Sequence, residues 1–79
     1  MSATADIQRL RDGLAWCLWL ERGASRRARF FELRAMNPRN PNRAASARVA
    51  AGYQSDAAND RRRITELRSA LAHAKGEAA

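Results

Sequence analysis

Residues 37–42 read NPRNPN and hold both prolines of the chain. Each proline restricts the residue before it and has no backbone N–H to donate, so no helix passes through this stretch. The residues on either side are dense in Ala, Arg, Leu and Glu, which are good helix formers, and poor in β-branched types. An all-α fold follows. What remains open is whether each side of NPRNPN holds one helix or two.

Two counts give different answers. The first reads Gly23 followed by Ser25 as a helix stop and a new N-cap, and Gly52 as a turn. It predicts helices over about 4–22, 25–36, 42–52 and 55–76, with Asn40 or Asn42 capping the third and the final GEAA fraying. In the first helix Ile7, Leu10, Leu14, Cys17 and Leu18 recur at helical spacing, and Trp16, Trp19 and Leu20 extend the apolar surface around the cylinder. In the second, Phe30, Phe31 and Leu33 face inward and Arg26, Arg27, Arg29 and Arg34 outward. The expected fold is a single small all-α domain of three to four helices with a helix-turn-helix-like core.

The second count finds heptads. Positions 7, 10, 14, 17, 21, 24, 28, 31 and 35 form an apolar or small seam broken once, by Glu21. Positions 50, 53, 57, 60, 64, 67, 71 and 74 form another, broken once, by Asp60. The alternative fold is therefore a long antiparallel helical hairpin of two helices of roughly 33 residues joined at NPRNPN, stable chiefly as a dimer that makes a four-helix bundle. It places Gly13, Gly23 and Gly52 inside helices, at about 1 kcal/mol each relative to Ala. It also requires the Asp60 carboxylate to reach water or a cation.

In the first arrangement Ala47 and Ala51 are the small packing residues before the turn, Tyr53 plugs the core, Ser55 caps the next helix and Ala58 points inward, as a helix-turn-helix requires. The stretch ARVAAGY, preceded by RARFFELRAMNPRN, resembles the N-terminal DNA-binding region of phage small-terminase-like proteins. Phe30, Phe31, Asn42, Val49, Ala51, Gly52, Tyr53 and Ala58 match that family's layout, over about residues 26–60. The resemblance implies DNA binding. Gln54, Ser55, Asn59, Arg62 and Arg63 then lie on the DNA-facing side of a recognition helix, where Asn and Arg suit base edges. Arg26, Arg27, Arg29, Arg39, Arg43 and Arg48 hold phosphates and set register. Asp56 and Asp60 sit badly for that role and fit the start of a helix, where the macrodipole favours acids.

Charge points the same way. The net +7 is uneven: residues 1–24 hold three Arg against three acids, residues 25–48 hold seven Arg against Glu32, and residues 49–79 hold five cations against four acids. A concentrated basic segment attracts polyanions by phosphate contact and counterion release. The expected function is a small basic DNA-binding protein, phage-like, acting mainly through phosphates. The competing expectation is a phage-type adaptor or inhibitor of a host or defence complex, with Trp16, Trp19, Phe30 and Phe31 as anchors against an acidic protein surface. Structured RNA is a further polyanion that a basic hairpin could grip.

Other classes are excluded by composition. One Cys and one His cannot make a disulfide within the chain or a four-ligand zinc site, and no cofactor is expected. Cys17 has no neighbouring base, His73 lies between alanines, and the eight acids form no close apolar pair, so no enzymatic activity is expected. No run approaches the roughly 20 apolar residues of a membrane span, and the first residues lack a secretory pattern. The expected setting is cytoplasmic. A chain of this length makes only a marginal core, so a homodimer or higher oligomer is expected.

Overall fold

The computed structural model describes residues 3–76. They form two long helices: α1 (Ala3–Met36, 34 residues) and α2 (Arg43–Ala74, 32 residues). The two pack against each other along their length as an antiparallel hairpin, and no strand is present among the described residues. The hairpin, the alternative reading of the sequence, is the fold. The breaks expected at Gly23–Ser25 and at Gly52 are absent.

The reason is the length of the seam. A glycine inside a helix costs about 1 kcal/mol, whereas a stop at Gly23 or Gly52 would tilt half of each helix away from its partner and expose the residues that the seam covers. All nine α1 seam positions, from Ile7 to Ala35, are buried or half-buried. On α2 the seam runs from Ser46 through Ala50, Tyr53, Ala57, Asp60, Ile64 and Leu67 to Leu71; Ala74 is exposed and drops out of it. The left-handed conformation that a turn at Gly52 would use does not occur there. The positive φ among the described residues is that of Gly76, at 73°, just past the last turn of α2, where its N–H reaches the carbonyl of His73 at 3.0 Å. The remainder of the tail expected to fray, residues 77–79, lies outside the described residues.

The core between the helices is made mostly of alanine. Ala24, Ala28, Ala50 and Ala57 are buried, joined by Ile64 and Leu67 towards the open end and by Ser46 towards the loop. Small side chains let the two backbones approach closely. At the open end Gly13 faces Leu67, where a Cβ would make ordinary contact with both leucine methyls at 3.8 Å, so an alanine would fit there as well. The two carboxylates that interrupt the heptads are half-buried. Glu21 accepts a bond from Ser25 Oγ at 2.7 Å and lies 3.3 Å from Arg61 Nε, which ties the middles of the two helices together.

Asparagines organise the connection. The Asn40 side-chain amide donates to the Arg34 carbonyl, 2.9 Å, at the end of α1, and to Ser46 Oγ, 3.2 Å, in the first turn of α2. Its Oδ1 accepts from the N–H of Asn42 at 2.9 Å. Asn37 Oδ1 accepts from the N–H of Arg39 at 3.0 Å, an Asx turn that carries the chain through Pro38. Asn42 is the N-cap residue of α2 by position, but its side chain makes no capping bond; the joint is held by Asn40.

The resulting body measures 57 × 22 × 13 Å, with a radius of gyration of 17.4 Å. A compact chain of this length would have a radius near 11.6 Å by the usual size scaling, so the hairpin is a thin, long slab.

Two stability outcomes follow. Gly52→Ala adds a methyl where nothing lies within 4 Å, so it should stabilise the protein by about 1 kcal/mol and raise Tm by about 4–8 °C in a thermal melt. A turn at Gly52 would give the opposite sign. Asn40→Ala removes bonds to both helix ends and should cost about 1–2 kcal/mol in chemical denaturation, clearly more than Asn42→Ala.

Candidate nucleic-acid interface and an exposed aromatic face

Folding the chain at NPRNPN gathers its charge at one end. The Glu21–Arg61 bridge marks the middle of the hairpin. Between that bridge and the loop, residues 22–55 hold eight Arg against Glu32 alone, and Asp56 and Asp60 lie next to the bridge. Arg22, Arg26, Arg27, Arg29, Arg34, Arg39, Arg43 and Arg48 are all exposed. The slab is only 22 × 13 Å in section, yet its opposite sides are still separated by up to two to three screening lengths at physiological salt, about 8 Å each. Neighbouring arginines therefore reinforce one another, and those on opposite sides are largely screened from each other.

Several of these arginines are already partly engaged. Arg29 lies 3.6 Å from Glu32, Arg27 stands 5.9 Å over the Tyr53 ring and Arg34 5.6 Å over Phe30. Arg22 Nε reaches the Leu18 carbonyl at 3.5 Å. No acid pairs with Arg26, Arg39, Arg43 or Arg48 among the described residues. Of the arginines expected to hold phosphates, all six lie in this half. Arg22 and Arg34 lie in the same half: Arg22 precedes Arg26 by about one turn of α1, and Arg34 is within the basic segment itself.

The residues expected to read bases are placed differently. Gln54, Ser55, Asn59, Arg62 and Arg63 lie in the middle of α2 and not at a helix N-terminus. Gln54 donates to Glu32 across the hairpin, Arg62 to Asn59 on its own helix, and Arg63 to Glu66 at 3.2 Å. Ser55 caps no helix. With no helix start near Ser55, these side chains cannot enter a groove as the tip of a recognition helix.

The large apolar side chains also depart from expectation. Trp16 and Trp19, outside the seam, are 60% and 61% exposed and stacked on each other with ring centroids 5.2 Å apart; Trp16 also borders a concavity shared with Arg63 and Leu67 of α2. Phe30, Leu33 and Met36 are more than half exposed. Phe30 and Leu33 therefore do not face inward as the sequence spacing suggested. Phe31 does: it is half-buried, edge-on to Phe30 at 5.1 Å and stacked with Tyr53 at 5.9 Å. The seam between α1 and α2 takes one stripe of α1, and a second apolar stripe is left over.

No group of three or more His, Cys, Asp or Glu side chains that could hold a metal occurs among the described residues. No helix there is long and apolar enough to cross a membrane. Comparison with known proteins finds no matching family model, no matching curated protein and no matching solved structure.

Proposed function

We propose that this chain binds nucleic acid, DNA in the first place, by gripping phosphates with the closed end of the hairpin and without reading sequence. The observation that carries this is the gathering of eight exposed Arg against Glu32 over residues 22–55, with Arg39, Arg43 and Arg48 clustered at and beside the loop and free of acidic partners. Phosphate contacts need only exposed cations within reach of the backbone, and counterion release supplies the affinity. Within the segment that resembles small terminases, the part from Arg43 onward lies in one continuous helix with no turn at Gly52, so the proposal rests on charge and not on a recognition helix.

The exposed aromatics favour a second reading. Trp and Arg are among the side chains most often found as binding hot spots, and the outer side of α1 combines them with the exposed ring of Phe30. A protein-binding adaptor or inhibitor that presents Trp16 and Trp19 to an acidic partner surface fits that composition. The two readings use different regions: the loop end for phosphate, and the back of α1 for protein.

A salt titration with mixed-sequence duplex DNA separates them. Four phosphate contacts give a slope of log affinity against log salt of about −3 to −4. Changing Arg39, Arg43 and Arg48 together to Gln should weaken binding on every sequence and flatten the slope by about 3. Absence of binding at low salt would overturn the proposal.

A further inference from the structure

The leftover stripe on α1 has a regular order. Asp12, Trp16, Trp19, Gly23, Arg26 and Phe30 follow one another at alternating steps of four and three residues, so they line up along one side of the helix, opposite the seam with α2. Five of the six are exposed, and Gly23 lines a concavity with Trp19, Leu20, Arg22, Arg26 and the flexible Arg27. A heptad row on a helix that already buries another heptad row is the sign of a second packing partner.

We infer that the partner is a second copy of this chain, docked antiparallel through this stripe of α1 about a two-fold axis at Trp19. Three observations select that occupant. The first is area. The chain exposes 5932 Å², against about 4,800 Å² for a compact monomer of 8.8 kDa. The surplus, about 1,100 Å², is of the order that one protomer contributes to a stable interface, about 800 Å².

The second is self-complementarity. Trp19 lies at the midpoint of α1 (Ala3–Met36), so an antiparallel pair centred there overlaps along the whole helix. In that register Asp12 falls opposite Arg26 of the second copy, and Trp16 falls beside its Arg22 and Gly23, within about 1.5 Å along the axis of the glycine. A bulky indole meets the one residue in the stripe without a side chain, and a carboxylate meets a guanidinium. Each pairing occurs twice because the interface is isologous. Trp19 meets its own symmetry mate.

The third is the distribution of charge. Each hairpin is strongly basic at its closed end, whereas residues 1–21 hold two Arg against three acids. A parallel dimer would lay one basic end on the other and Asp12 on Asp12. The antiparallel dimer sets each basic end beside the weakly charged end of its partner, which removes that repulsion. The product is a four-helix assembly with α1 helices inside, α2 helices outside and a basic loop at either end.

Sedimentation equilibrium of the full chain tests this, and it needs no nucleic acid. The wild type should form a dimer whose fraction rises with concentration. Asp12→Arg alone and Arg26→Asp alone each set like charges opposite one another at two places and should raise the dimer dissociation constant at least tenfold, about 1.4 kcal/mol. The double variant restores both pairs in reversed sense and should return the constant to near the wild-type value. Gly23→Leu fills the hole for Trp16 and should abolish the dimer. The protomer should still fold, because the only close neighbour of an added Cβ is the flexible tip of Arg27, Nη1 at 3.0 Å, and helix propensity improves. A wild type that stays monomeric, a Gly23→Leu variant that still dimerises, or a double charge reversal that fails to rescue the singles would each overturn the inference. The salt-dependence experiment on DNA varies Arg39, Arg43 and Arg48, none of which lies in the stripe, and sedimentation is run without nucleic acid, so either result can fail while the other stands.

Discussion

The close approach of two helices over alanine decides most of what this protein is. Ala24, Ala28, Ala50 and Ala57 are buried between the helices, and the aromatic pair in the same seam, Phe31 and Tyr53, lies flat, one ring stacked on the other. Alanines fill such a seam without lost side-chain entropy but bury little area apiece. A hairpin held in this way has a low ceiling on its own stability, and its bulkier apolar groups are free to serve elsewhere. They do: Trp16, Trp19, Phe30, Leu33 and Met36 are displaced to the outside, where they form an apolar surface open to a partner.

The fold was legible in the heptads and illegible in the glycines. Ile7 to Ala35 and Ala50 to Leu71 mark the seam almost residue by residue, with Ala74 the one position that fails. Gly23–Ser25 and Gly52–Ser55 look like stop-and-start signals because Gly and Ser are common there, yet local signals of about 1 kcal/mol lose to packing distributed over more than thirty residues on each helix. Ser25 illustrates the point: in place of an N-cap it is a mid-helix side chain bonded to Glu21 one turn earlier.

The candidate site was legible in part. A basic segment is visible in the linear sequence, and all six arginines assigned to phosphates lie in the basic half. Arg22 and Arg34, also exposed in that half, lie beside and within the same linear segment. The base-reading set depended on a helix start that does not exist, and the inward placement of Phe30 and Leu33 depended on a short helix whose orientation was set locally. In a hairpin of full length the same residues are turned by the seam, which uses Ala28, Phe31 and Ala35 and so throws Phe30 and Leu33 to the opposite side.

The Asn40 clamp has a kinetic counterpart. Asn40 and Ser46 are six residues apart, while Gly13 and Leu67 meet only after fifty-four residues of chain have been looped out. Chain statistics make the second closure about 2 kcal/mol harder than the first when each forms alone. Assembly from the proline-stiffened connection outward, like a zipper, avoids that cost, because each turn that docks shortens the loop left for the next. The end of the molecule most crowded with positive charge is thus the end that must close first, and a polyanion held there would favour the earliest contacts of folding as well as the finished hairpin.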